Sequence, residues 1–371
     1  MNRAMAGIKI QDICNLIEMW APLKLAYPND TVGLVLGSKD WEADKVLVCL
    51  TITDNIVKES IKNSIKLIVS HHPLIYTPLN KITQDSSYGK RIAELISKGI
   101  ACYTCHTNLD VAEKGLNHIL AQKLEISNTT GLLPVEHTQL FKLVTFVPKN
   151  YVEKVREALC SCGAGIIGEY AYCSFSALGI GTFLPSENAD PFLGKIGKVN
   201  EEKEERLEVL VSAEVLNNVI ESMLEAHPYE EVAYDIYPLH NKNRKISLGL
   251  KGTLETPISL EEFTNRIKEK LNLTSVRVVG EMTKEIKNVA VIGGSGGSEI
   301  KKVPDNIDVL VTGDVKYHQA LEAIDKGLAV IDAGHFGTEY PIVQGIYDYL
   351  KEKLPLLDVI IPEEKDPFFT K

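Results

Sequence analysis

No run of eighteen apolar residues occurs in this sequence, so it offers no membrane-spanning helix. A basic surplus is missing too. Lys and Arg total 40 against 50 Asp and Glu, a formal net charge of -10. Phosphate neutralisation needs clustered Lys and Arg, so this balance argues against a nucleic-acid partner. Short basic mixtures such as Asn-Lys-Asn-Arg-Lys at 241–245 are not sustained. A secretory h-region is absent: the first twenty residues carry Asp12 and Glu18 inside an apolar periodicity, the pattern of an amphipathic helix. The seven cysteines are an odd number and scattered, which with no leader predicts reduced thiols and a cytoplasmic chain. No H-E-x-x-H motif occurs either, so any metal site must be assembled from distant segments.

What is present is an ordinary globular composition over 371 residues, 44% hydrophobic and 24% charged, long enough for two or three domains. Internal similarity is its most informative feature. Residues 96–124 and 324–354 share a Lys-Gly helix stop, a short apolar strand, a histidine, an acid four residues later and an amphipathic helix. The pairs are His106 with Asp110 and His335 with Glu339. Upstream, Lys-Val-Leu-Val-Cys-Leu and Leu-Ile-Val-Ser-His-His parallel Val-Ala-Val-Ile-Gly-Gly and Val-Leu-Val-Thr-Gly-Asp. The fold expected is α/β: two duplicated α/β lobes forming one core, at 1–130 and 248–371, with largely parallel, buried strands. Residues 137–245 interrupt them. They read as β-α-β followed by β-α-β, with a charged linker around 186–206 and the second helix ending at His227 before Pro228. This is a ferredoxin-like inserted α+β domain.

Three histidine positions fall at strand ends beside acids or one another: His71 with His72, His106 with Asp110, His335 with Glu339. Ligands belong at the carboxyl ends of strands in open α/β sheets. His71, His72, Asp110, His335 and Glu339 make a mixed imidazole and carboxylate set suited to Zn, Fe or Mn. One zinc needs three or four protein ligands, so five fit two divalent metal ions better, with Glu339 bridging. Neighbouring side chains on a strand diverge, which would let His71 and His72 serve different ions. His106 is expected beside the ligands, orienting one or moving a proton. Thr338 and Asn108 are the expected helix caps, leaving His335 on a loop. The plainer alternative for each acid is a favourable helix-dipole contact.

The segments Ser-His-His-Pro at 70–73, His-Thr-Asn-Leu-Asp at 106–110, Gly-His-Phe-Gly-Thr-Glu at 334–339, Asp-Thr-Val-Gly-Leu at 30–34 and 226–239 carry a resemblance. The chain resembles the NGG-interacting-factor-3-like family, whose members are also known as GTP cyclohydrolase 1 type 2 homologues. The likeness spans nearly the whole chain, including an insert similar to the PII-like or CutA-like domain of the longer bacterial members. It implies a dinuclear metal centre on the same five residues and a toroidal homohexamer. Asn29 and Thr31 flank Asp30 where the family usually has Trp and Asn, and Thr51 stands where an acid is common. On this resemblance the expected function is a metal-dependent hydrolase acting on a nucleotide or other phosphate-bearing small molecule. The alternative is a non-catalytic, metal-binding regulatory hexamer.

Weaker signals remain. The Gly-rich run at 293–298 could cradle phosphate through backbone N–H groups or be a simple turn; it lacks Gly-Lys-Ser/Thr. His318 could approach the site or cap a helix. Cys102 and Cys105 form C-x-x-C in a strand that would point them to opposite faces. Glu230 and Glu231 could hold a cation, a solvated turn being the plainer reading.

Overall fold

Strands buried on both faces lose the alternation of half-buried strands and become continuous apolar runs. Four such runs, Leu67–Ser70, Ala101–Thr104, Val309–Thr312 and Ala329–Asp332, are buried at every residue and form the centres of two sheets. The computed structural model describes residues 7–135, 139–168, 170–242 and 246–369. Outside them lie residues 1–6 of the N-terminal pattern, 243–245 of the basic mixture, 137, 138, 169 and 243–245 of the expected insert, and 370–371 of the expected second lobe. Two units are formed, one from 1–135 with 245–371 and one from 136–244.

In the first unit, one sheet has the order Asp358–Ile360, Lys45–Cys49, Leu67–Ser70, Ala101–Thr104, Gly33–Leu36, parallel except at the last pairing. The other has the order Arg277–Val279, Ala329–Asp332, Val309–Thr312, Glu285–Val291, Ser247–Ser259, Ser127–Pro134. Here, among the described residues, only the two pairings around Val309–Thr312 are parallel, fewer than the sequence led one to expect. The long Ser247–Ser259 strand, both of whose neighbours run against it, and the edge strand Arg277–Val279, antiparallel to Ala329–Asp332, are the reason. The lobes also exchange pieces. Ser127–Pro134 joins the second sheet and Asp358–Ile360 joins the first. Ile342, Val343, Ile346 and Leu350 of helix Pro341–Lys353 pack into the core of the first sheet.

The two sheets can be registered by hydrogen bonds. Cys105 N–H donates to Ser70 O, and Ala333 N–H donates to Thr312 O. Helices Thr107–Val111 and His335–Glu339 follow at equal distances. His106 therefore stands where the second lobe has Gly334, and Asp110 where it has Thr338. The His-to-acid spacing of four recurs in the sequence but is displaced by one residue in the fold. The caps differ from expectation as well. His335 opens its helix with Gly334 as N-cap, and Thr338 lies inside it, donating from Oγ1 to Gly334 O. Asn108 lies inside its helix and accepts the N–H of His106.

The second unit is an antiparallel four-stranded sheet under two helices, Val152–Ser161 and Leu216–Ala226. Its strand order is Tyr234–Lys242, Gln139–Pro148, Asn200–Ser212, Ser174–Phe183. Fourth, first, third, second is the β-α-β-β-α-β order. The charged stretch from Asn200 to Arg206 is strand, not linker, and pairs along Ser174–Phe183. Leu207, Val209 and Val211 alternate inward onto Val155, Leu159, Val219 and Met223. His227 ends the second helix before Pro228, as expected. Among the described residues no helix is long and apolar enough to cross a membrane.

Candidate metal centre

The chain bends past Leu67–Ser70. His71 N–H donates to Cys49 O at 3.1 Å and His72 N–H to Leu50 O at 2.8 Å, two successive N–H groups turned to the same neighbour. The bend brings the two rings side by side, centroids 5.2 Å apart and both turned toward Glu339, instead of letting them diverge as in an extended strand. His71 is fully buried. Its Nδ1 lies 2.8 Å from Cys105 O, and a carbonyl only accepts, so Nδ1 donates there and Nε2 is the atom that faces the acids. That Nε2 and Oδ1 of Asp110 are both buried without a hydrogen-bond partner, although only 3.5 Å apart. An imidazole nitrogen and a carboxylate oxygen left facing each other are completed by a proton or, in its place, by a metal cation.

Glu339 joins the lobes. Its Oε2 lies 2.8 Å from His72 Nε2 and 2.9 Å from His335 Nε2, and its Oε1 lies 3.8 Å from His71 Nε2. One oxygen thus faces His72 and His335, while the other faces His71. The helical turn makes the His335–Glu339 pairing possible, since i and i+4 share a face. Gly294, at φ +65°, makes room: a Cβ there would lie 2.0 Å from Glu339 Oε1.

Each exposed ring has a keeper. Thr51 Oγ1 lies 2.6 Å from His72 Nδ1, and Asp314 Oδ2 lies 2.7 Å from His335 Nδ1. Asp314 holds that place in a left-handed conformation, φ +54°, which Asp tolerates better than most residues. Glu364 accepts the N–H groups of Leu50 and Thr51 at 2.7 and 3.1 Å and so anchors the Thr51 turn. His106 Nδ1 lies 2.9 Å from Asp30 Oδ1, which leaves its Nε2 free. Thr107 donates to the other oxygen of Asp30 through its N–H and hydroxyl.

Electrostatics follow the same division. Burial pulls the His71 ring down, but Asp110 and then Glu339 outweigh it and hold it up at about 9. A hydrogen bond with Glu339 leads in raising His335 to about 9, against burial and with Asp314 helping. Burial keeps His72 below its ordinary value. Burial raises Asp110 to about 6, His71 opposing. Burial also works to raise Glu339, but hydrogen bonds with His335, His71 and His72 hold it well below the carboxylate range. Burial opposes Asp30's charge, but His106 and Thr107 prevail and lower it to about 2.

All five residues expected as ligands therefore lie together, with His106 beside them. Among the described residues, two groups of three side chains have ligand atoms within 4.8 Å of one another, His72, His335 and Glu339, and His71, His72 and His106; Asp110 is in neither and faces His71 alone at 3.5 Å. In the sequence Thr51 marks only a departure from the family pattern, and Asp314 stands where the parallel segment of the first lobe has His72. Their positions two residues past apolar strands are the available signal. Glu364 gave none. The Gly-rich run is not a ready phosphate cradle. The N–H groups of Gly293, Gly294 and Gly296 already donate to Asn117 Oδ1, Thr338 Oγ1 and Thr312 Oγ1. His318 is exposed with its ring edge-on to Tyr317, and Lys316 is the N-cap of its helix. Cys102 and Cys105 point into different cores.

Comparison with known proteins adds three findings. The family model described as Duf34/NIF3 (NGG1p interacting factor 3) matches residues 8–367. A Bacillus subtilis protein named "GTP cyclohydrolase 1 type 2 homolog" is 42% identical over 330 residues, 89% of this chain and 88% of its own length. A like-named protein of Halalkalibacterium halodurans is 38% identical over 345 residues, 93% of this chain and 92% of its own. Among solved structures, a Bacillus cereus protein related to NIF3 covers all of both chains with a TM-score of 0.83 at 36% identity.

Proposed function

The chain belongs to the Duf34/NIF3 family, and from that premise we propose that it binds two divalent metal ions and hydrolyses a nucleotide or other phosphate-bearing small molecule. The ligands in this reading are His71, His72, Asp110, His335 and Glu339, and the metals Zn, Fe or Mn. One observation carries it: His71 Nε2 and Asp110 Oδ1 face each other as orphans while Glu339 directs its two oxygens at different histidines. When bound, two such ions supply Lewis-acid charge and acidify water. The chain's own residues then divide the remaining work. Asp30 fixes His106 at Nδ1, so its Nε2 can take or give a proton beside His71 and His72. A cavity of about 980 Å³ opens beside His335, lined by Arg277, Phe336 and Tyr340, and has the size of a small-molecule site. Arg277 donates to Val315 O and to the Asp332 carboxylate, which holds its mostly exposed head at that cavity. GTP ring opening is the named candidate reaction, because the like-named relatives carry it in their names.

The same reading treats 1–130 and 248–371 as duplicated lobes of one core and 137–245 as a PII-like or CutA-like insert. It takes the assembly as a cytoplasmic toroidal homohexamer. Strand order in each sheet supports the first two points. The engaged amides of Gly293, Gly294 and Gly296 favour a second reading, a non-catalytic metal-binding regulatory assembly. Protein purified without chelators and loaded with Mn, Zn or Fe, then offered nucleotides and phosphoesters, separates the two. Metal-dependent turnover supports the hydrolase. Two ions per chain with no turnover of any substrate supports the regulator. Fewer than two ions under saturating metal overturns the dinuclear centre in both.

A further inference from the structure

The four-stranded unit holds an acid whose chemistry is unfinished. Glu204 lies on the Asn200–Ser212 strand, an odd number of residues from the helix-facing side chains: Leu207, Val209 and Val211 point inward and Glu204 points to the opposite side. It is nevertheless only 8% exposed. Its Oε1 accepts the hydroxyl of Tyr229 at 2.6 Å. Burial and the neighbouring carboxylate push that phenol up, so it stays a donor. Oε2 lies against Gly181, where a Cβ would come within 2.2 Å, and no donor among the described residues reaches it. Arg206, two residues along, is committed to Glu208, Nε to Oε1 at 2.8 Å. Glu204 therefore has one oxygen held by Tyr229 and one that accepts no hydrogen bond from the described residues and opens onto the space beside it.

Two cavities meet at this oxygen. They measure about 310 and 400 Å³, and both are lined by Gly181, Thr182, Glu204, Tyr229 and Ala233. The smaller continues over Leu184, Pro191 and Phe192, and Glu230 and Glu231 also line it. Phe192 packs with Tyr229, ring centroids 6.3 Å apart, and edge-on with Tyr151 at 5.6 Å. Glu230 is itself tied back, accepting the N–H of Asp190 at 2.8 Å.

We propose that this cavity is a binding site for a small organic ammonium ion, its charged nitrogen on Glu204 Oε2 and its apolar body against Phe192. The chemistry selects that class. A bare divalent ion wants several oxygens, and the walls are largely hydrocarbon and aromatic. A neutral ligand would leave Oε2 without a charge-assisted partner, since Arg206, which lines the larger cavity, is turned to Glu208. An ammonium satisfies the free oxygen and gains from an aromatic wall. The site lies wholly within the unit formed by 136–244 and depends on no metal.

Phenethylammonium and its neutral isostere 2-phenylethanol test it, added to the full chain with alanine and leucine methyls labelled for NMR. The ammonium should shift the methyls of Ala189, Ala233 and Leu184 saturably, and the alcohol should bind at least about tenfold more weakly, as loss of one charge-assisted hydrogen bond predicts. Glu204→Gln should abolish that preference while the remaining methyl spectrum stays in place. Should that variant fold poorly, Phe192→Ala, at a half-exposed position, should weaken the ammonium severalfold and leave the fold intact. Equal binding of ammonium and alcohol, no saturable shift of these methyls, or an undiminished preference in Glu204→Gln or undiminished affinity in Phe192→Ala would each overturn the proposal.

Discussion

Two strand ends, alike in position, serve the candidate centre in opposite ways. Leu67–Ser70 and Val309–Thr312 each lie between two parallel neighbours. The first runs into His71 and His72, the second into Gly313 and Asp314. Gly313 is small for a reason: a Cβ there would lie 2.7 Å from the backbone of Gly334 and His335. Giving up that side chain lets helix His335–Glu339 close onto the strand end. The second lobe therefore contributes through its helix, with His335 and Glu339. The first contributes two strand-end histidines and, from its helix, Asp110. One scaffold used twice yields complementary donors because the close approach and the strand-end side chain exclude each other.

The largest effect should come from the residue that spans both halves. Glu339→Ala should reduce metal content from two ions per chain toward none, whereas Asp110→Ala should cost only the ion on the His71 side. Elemental analysis of the purified variants reads both, and equal losses would break the division between halves. Gly313→Ala should come next. Forcing a methyl against the Gly334–His335 backbone should destabilise the chain by about 1–3 kcal/mol, measured as a lowered urea midpoint with unchanged slope. An unchanged midpoint would mean that the helix is not closed onto the strand.

Much of this contrast was legible in residue types. Strands covered on both faces are apolar throughout, and the histidines stand at their ends, so sheet centres and donors could be read together. Register could not. The sequence matches His106 to His335 because both precede an acid by four residues, but hydrogen bonding sets His106 opposite Gly334. The helix starts were missed for a related reason. Thr338 looks like a cap, yet Gly334 at φ +77° begins the helix earlier and puts His335 on the same face as Glu339. Asn200–Arg206 looked like linker because one face of that strand is not covered by helices and charge is tolerated there. Contacts across the chain left no local trace: Glu364 reaches Leu50, and His72 meets Glu339, 267 residues away.

The residues that orient the histidines extend the comparison at smaller scale. Asp314→Asn should weaken the ion held by His335 about tenfold and leave the other step of a metal titration in place. Thr51→Val should act on His72 in the same way and to a similar degree. Identical effects on both titration steps would show that the halves do not bind independently.

The smallest effect is one of pH, and its sign differs between loaded and chelated protein. Without ions, His71 and His335 hold protons up to about 9, against an ordinary value of 6.5. The folded chain then binds more protons than the unfolded one between those values. Stability from these two rings is fully present below about 6.5 and is lost as pH rises through about 9. Chelated protein should therefore melt at a lower temperature at pH 9 than at pH 7. Metal ligation needs both rings unprotonated, so affinity should rise across the same interval, with protons released on binding. Asp314→Asn removes one of the charges that raise His335 and leaves His71 under Asp110 and Glu339. It should shrink the pH-dependent loss of melting temperature without abolishing it. If that variant loses the dependence completely, the proton held by the first lobe contributes nothing, and the two halves are less alike in their electrostatics than in their fold.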